Sequence, residues 1–157
     1  MDNTSLPADR WYSGAGIYRT VTLLELNSDH IRPEEIHVTT AIDGDTGIVT
    51  IKTGTSSLVK ACLSDDDLSM TDEANTGCIQ LEIPDAKLWS PDHPHLYRLE
   101  LSLVEGGEVI DSYALNVGIR TIEMIPGKGM YINGTMTKVK GLCIHQDAGC
   151  LGTAVTP

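Results

Sequence analysis

Between Tyr97 and Val117 the chain alternates with a period of two, and few folds accommodate that. Tyr97, Leu99, Leu101 and Leu103 fall on one face, and Arg98, Glu100 and Ser102 on the other. Such alternation is the mark of a half-buried strand. Gly106-Gly107 follows, a dipeptide that accepts the positive φ of a tight hairpin turn. The return run, Val109 to Val117, puts Tyr113, Leu115 and Val117 on one face, which Asp111 interrupts. Pro91 and Pro94 lack backbone donors, so the approach from Trp89 enters no sheet ladder. Gly118-Ile119-Arg120-Thr121 closes the unit. The stretch predicts an antiparallel hairpin, and a hairpin needs further strands to bury its apolar face.

Those strands are legible upstream. Ile17 to Leu26 reads as a first strand, with Ile17, Val21 and Leu23 alternating against Thr20 and Thr22. Ile36, Val38, Thr40 and Ile42 share a face in a second. Val49 and Ile51 mark a third, and Val59, Ala61 and Leu63 a fourth. Ile79, Leu81 and Ile83 define a fifth, and the hairpin supplies the sixth and seventh. Ser64 to Asn75, with Asp65-Asp66-Asp67, Asp72 and Glu73, reads as a solvated acidic loop. Its oxygens lack the alternating spacing and central glycine of an EF-hand calcium loop. Seven short strands with regular turns and no helical periodicity predict an antiparallel β-sandwich. Fibronectin-like, immunoglobulin-like and jelly-roll versions all fit this pattern.

Charge narrows the partners. Eleven Lys and Arg against 22 Asp and Glu give a net charge of −11 over 157 residues. Such a chain repels phosphate backbones and anionic membrane surfaces, so neither nucleic acid nor membrane is an expected partner. No apolar run approaches the roughly 20 residues that span a bilayer. The first residues, MDNTSLPADRW, have neither the basic start nor the apolar region of a signal peptide. Cys62, Cys78, Cys143 and Cys150 form no C-x-x-C pair and no zinc-finger spacing. Cys62 and Cys78 sit in strand-like runs and read as small buried hydrophobes, with a disulfide as the alternative. They do not report the compartment.

Three motifs carry a resemblance. Trp89-Ser90-Pro91, Pro94, Leu96-Tyr97 and the closing Gly118-Ile119-Arg120-Thr121 resemble the end of the immunoglobulin-like sandwich of glycoside hydrolase family 2, the β-galactosidase and β-glucuronidase group. Asp9-Arg10-Trp11-Tyr12-Ser13-Gly14-Ala15-Gly16-Ile17-Tyr18-Arg19 is similar to the way the upstream β domain ends in many bacterial members. Gly127, Lys128, Gly129, Met130, Ile132, Asn133, Gly134, Val139, Lys140, Gly141 and Leu142 resemble the linker hairpin into a (β/α)8 catalytic barrel, and His145, Gln146, Asp147 and Gly149 match a motif after its first strand. The resemblance implies an all-β chain: an immunoglobulin-like antiparallel β-sandwich of about seven strands, plus a short C-terminal hairpin leading into a missing (β/α)8 barrel. It implies three parts: residues 1–16 the tail of an upstream β domain, 17–125 the sandwich, and 126–157 the linker hairpin with the first strand of a truncated barrel. It leaves a periplasmic or secreted parent open.

It also implies a division of labour. Retaining glycoside hydrolysis needs two carboxyls about 5–5.5 Å apart, an acid/base and a nucleophile. In the family these are glutamates on late barrel strands, the acid/base one preceded by an asparagine. No Asn-Glu pair occurs in this sequence, so no catalytic residue is expected here and the chain alone should be inactive. Barrel active sites lie at the carboxyl ends of the strands. His145 is therefore expected at the rim of the parent's pocket, hydrogen-bonding a sugar hydroxyl, with Asp147 orienting it or lining the mouth. Gln146 replaces the glutamate of some subgroups. No cofactor and no metal are implied. His93 and His95 flank Pro94, but no third ligand is evident, and they read as structural loop histidines.

Two functions compete. One is a non-catalytic scaffold of a glycoside hydrolase, whose partners are the upstream β domain and the catalytic barrel of the same parent chain and whose carbohydrate substrate is reached only through that parent. The other is a stand-alone immunoglobulin-like module that binds glycans or proteins through its loops. Carbohydrate platforms use exposed aromatics, and this chain has no Phe, two Trp and five Tyr.

Overall fold

The structure is a computed structural model that describes residue 17 and residues 20–143. The chain divides into two compact units: Leu26–Val139, and a second formed by Met1–Glu25 with Lys140–Pro157.

Leu26–Val139 is all antiparallel β apart from one 3₁₀ turn at Pro33–Glu35. Strand β1 (His37–Asp43) pairs with β2 (Thr46–Lys52), which pairs with β5 (Cys78–Ile83). The second sheet runs in the order β4 (Ser69–Ala74), β3 (Leu58–Ser64), β6 (Tyr97–Glu105), β7 (Glu108–Val117). The expected immunoglobulin-like sandwich is present, in a three-plus-four arrangement. Its fourth strand joins β3 rather than extending the sheet of β1, β2 and β5.

The inward faces follow the expected alternation. Val49 and Ile51 on β2, Val59, Ala61 and Leu63 on β3, and Ile79, Leu81 and Ile83 on β5 are buried, as are Tyr97, Leu99, Leu101 and Leu103 on β6. Each of the Val, Leu and Ile side chains among these contributes roughly 1.5–3 kcal/mol by leaving water. Central strands β3 and β6 pair Val59 with Leu103, Ala61 with Leu101 and Leu63 with Leu99, so the two stripes meet in register.

The count of seven sandwich strands stands, but its membership changes. No strand forms over residues 20–26, and Ile17, Val21, Leu23 and Leu24 are exposed. In their place the acidic segment supplies β4, an edge strand whose Met70 and Ala74 alone turn partly inward. Edge strands carry charge on purpose, because an open row of backbone groups invites pairing with another chain. That charge is what made the segment read as a loop.

Asp111 on β7 explains its own irregularity. Leu103 faces Asp111 while Val104 faces Val109, so Ile110 is an extra, bulged residue. Ile110 packs partly buried against the core, and beyond the bulge Tyr113 pairs with the buried Leu101 yet stays 37% exposed. The Asp111 carboxylate accepts the Ile31 N–H at 2.7 Å, and the Asn27 amide donates to the Ile110 carbonyl at 2.7 Å. These bonds lash the lead-in of the sandwich to its last strand.

Cys78 is exposed at an outward position of β5, against the expectation of burial, because alternation puts Ile79 rather than Cys78 inside. Cys62 is half-buried, and Cys62, Cys78 and Cys143 are free.

A third sheet follows the sandwich: β8 (Ile122–Ile125), β9 (Gly129–Ile132) and β10 (Thr135–Met136), with β9 central. Asn133-Gly134 forms the predicted two-residue turn, with φ of 50° and 72°.

Candidate functional site

His145 and Asp147, the expected sugar-pocket residues, lie outside the described residues. The best-built polar constellation among those described is the junction where the sandwich meets the third sheet. Three sequence motifs, as far as 44 residues apart, converge there.

Trp89 is its floor. Its backbone N–H donates to the Ile119 carbonyl at 2.8 Å, which threads the proline-rich approach against the strand exit. Gly118 crosses the indole so closely that any Cβ there would lie 2.9 Å from both Cβ and Cγ of Trp89. That contact is a physical reason for glycine at the head of Gly118-Ile119-Arg120-Thr121. Ile119 is fully buried, and Arg120 returns to Trp89, its guanidinium 4.5 Å from the ring centroid. The Thr40 hydroxyl donates to the Arg120 carbonyl at 2.7 Å and accepts the Arg120 N–H at 3.3 Å, fixing this residue to β1.

Asn133 locks the third sheet onto this floor. Its side-chain NH2 donates to the Trp89 carbonyl at 3.0 Å, and its Oδ1 accepts the Thr121 N–H at 3.0 Å. Its backbone N–H donates to the Thr121 carbonyl at 3.1 Å. The residue that makes the turn therefore also bridges two segments of the sandwich exit. Sequence reasoning found the turn but missed the bridge. An asparagine tolerates the left-handed conformation and carries both a donor and an acceptor, which glycine there would not.

A second polar cluster lies at the β3–β4 turn. The Asp65 carboxylate is 5% exposed. Its Oδ1 accepts the N–H groups of Asp67 and Leu68, both at 2.9 Å, and its Oδ2 meets Lys87 Nζ and His95 Nε2, both at 3.0 Å. Lys87 also reaches Asp67 at 2.7 Å. His95 stacks edge-on against Tyr97, whose hydroxyl accepts the Lys87 N–H at 2.8 Å. His95 is thus a structural histidine. The Asp67 N–H, then the Lys87 ammonium, hold the Asp65 carboxyl down to about 2. Asp67, then Asp65, push Lys87 up. Both groups are locked in their charged forms, the opposite of what a general acid or base at neutral pH requires.

A polar cleft of about 250 Å³ sits beside the 3₁₀ turn, lined by Asp29, His30, Arg32, Glu35, Thr53 and Ser57 among others. Arg32 and Glu35 already pair across it at 3.0 Å. The clusters described form a framework rather than a catalytic centre.

The likeness to known proteins points the same way. The chain is 34% identical to a beta-galactosidase of Bacteroides ovatus over 99% of its own length and 21% of that protein. It is 32% identical to a beta-glucuronidase of Paenibacillus borealis over 90% of its own length and 24% of that protein. The crystal structure of a beta-glycosidase from Bacteroides vulgatus matches it with a TM-score of 0.76 and 29% identity, covering 93% of this chain and 20% of that one. The chain spans about a fifth to a quarter of the length of these proteins. Residues 29–120, the sandwich and its exit, match the family model of glycosyl hydrolases family 2, and the chain belongs to that family.

Proposed function

We propose that this chain is the non-catalytic sandwich of a longer retaining glycoside hydrolase resembling β-galactosidase and β-glucuronidase, and that it holds the domains on either side in place. The observation that carries this is the junction. Trp89, Arg120 and Asn133 tie the last strand of the sandwich to the sheet from which the chain runs on past Val139. A rigid exit of this kind suits a spacer that must present the next domain at one angle. The relatives, four to five times longer, leave room for such neighbours.

In this reading residues 1–16 end an upstream β domain, residues 17–25 lead into the sandwich, which the structure begins at Leu26, and 126–157 lead into a (β/α)8 barrel. The parent's carbohydrate substrate lies in that barrel, whose glutamates cleave the glycosidic bond. His145 hydrogen-bonds a sugar hydroxyl at the barrel rim, and Asp147 orients it.

The test is a hydrolysis panel of chromogenic β-galactoside, β-glucuronide and β-mannoside, run on the 157-residue chain and on the natural chain extended in both directions. Hydrolysis by the extended chain alone is expected, and the best substrate names the sugar. In that chain His145→Ala raises KM by about tenfold, the worth of one hydrogen bond of roughly 1.4 kcal/mol. Turnover by the 157-residue chain, or none by an extended chain that is folded, would overturn the proposal.

A further inference from the structure

The arginines of the sandwich are not alike. Arg32 pairs with Glu35 at 3.0 Å and Arg98 with Glu100 at 2.8 Å. Arg120 is the more tightly held of the three, half-buried, laid over Trp89 and bonded through its backbone to Thr40. Yet among the described residues no carboxylate lies within 4.0 Å of its guanidinium, in a chain where acids outnumber bases two to one.

Stacking uses the face of a guanidinium and leaves its five N–H donors in the plane, aimed outward. A half-buried planar cation with open donors is a preformed receptor for a carboxylate, which it can grip with two parallel hydrogen bonds. Apolar surface adjoins it in sequence. Ile122 is 55% exposed and Met124 72%, two and four residues further on. A charged anchor beside exposed aliphatic side chains is the composition of an interface centre.

We infer that Arg120, Ile122 and Met124 form a docking surface for a carboxylate-bearing, otherwise apolar face of the domain that follows in the parent chain. The inference rests on the scaffold function proposed above. The occupant is that domain because the third sheet is the last described element before the chain runs on, and a short tether gives the following segment a high effective concentration at this surface. The chain's strong negative charge does not oppose this contact. The anchor is one of its few cations, and the partner carboxylate meets it locally.

Arg120→Gln and Arg120→Lys, each made in the 157-residue chain and in the extended parent, test this by thermal unfolding at 0.05 M and 1 M NaCl. In the short chain Arg120→Gln removes only the stack on Trp89. In the extended parent it is expected to lower the Tm of the sandwich by about 2–4 °C more than in the short chain. That excess should shrink at 1 M NaCl, where screening acts within about 3 Å. Arg120→Lys, which keeps the charge without the planar fork, recovers part of it. Should Arg120→Gln fail to fold, the lysine variant alone still reads the difference between the two chains. Equal loss in both chains, with no dependence on salt, overturns the inference and assigns Arg120 to the local stack. The glycoside panel is read separately: a folded parent without hydrolytic activity defeats the proposed function but not this comparison.

Discussion

At the scale of single residues, acidic side chains turn out to be fastenings. Asp65 sat in a run of three aspartates that reads as solvated loop, yet its carboxylate takes four donors and joins the β3–β4 turn to Lys87 and His95. Its pH dependence follows from the direction of its shift. A carboxyl lowered from 3.8 to about 2 contributes stability that is complete above 3.8 and lost as pH falls through about 2. Lys87, pushed up from 10.5, contributes stability that is complete below 10.5 and lost only at higher pH. Asp65→Asn should therefore lower Tm at pH 7, and the gap to the unsubstituted chain should close between pH 3.8 and about 2. A gap that persists unchanged below pH 2 would show that the amide disrupts packing rather than charge. Asp111 makes the same point without titration. It broke the apolar face of its strand in sequence because it serves Ile31, 80 residues away, and no local pattern can announce so distant a partner.

At the scale of elements, legibility depended on how completely each strand is buried on one side. β2, β3, β5 and β6 bury every second residue, so their period survives in the sequence. β4 lies at a sheet edge and turns only Met70 and Ala74 partly inward, so its period dissolves into acids. Residues 20–26 fail in the opposite direction. Their alternation is real, but the described structure gives them no strand to pair with. The junction was half legible: its motifs stood out, while their convergence is a tertiary fact. Gly118→Ala tests the tightest contact there. A methyl group 2.9 Å from the indole must push Trp89 aside, at a cost of about 1–3 kcal/mol by urea unfolding. Asn133→Gly separates turn from bridge. Glycine keeps the left-handed turn but removes both side-chain bonds, so a loss of about 1–3 kcal/mol measures the bridge. An unchanged stability would mean that the third sheet is held by the backbone bond to Thr121 alone.

At the scale of the whole molecule, every buried apolar residue among those described lies between Ile31 and Ile132. The unit Leu26–Val139 thus contains the entire described core, both ends of the junction, and the Asn27 and Asp111 bonds that close the sandwich. A domain that spaces others apart must keep its shape whatever its neighbours do, and a self-contained core is the physical form of that requirement. A chain cut to residues 26–139 should therefore unfold in one cooperative transition, with a free energy within roughly 0.5 kcal/mol of the 157-residue chain, the range of substitutions remote from the core. Urea unfolding followed by Trp89 fluorescence measures it, and Trp11 is removed by the same cut. The outcome also bears on where the sandwich begins. A shortfall of 2 kcal/mol or more would place stabilising contacts in the removed residues, and a second chain cut to residues 17–139 would tell whether they lie in 17–25 or in 140–157. Full stability without them would show that the exposed stripe of Ile17, Val21 and Leu23 adds nothing to the sandwich.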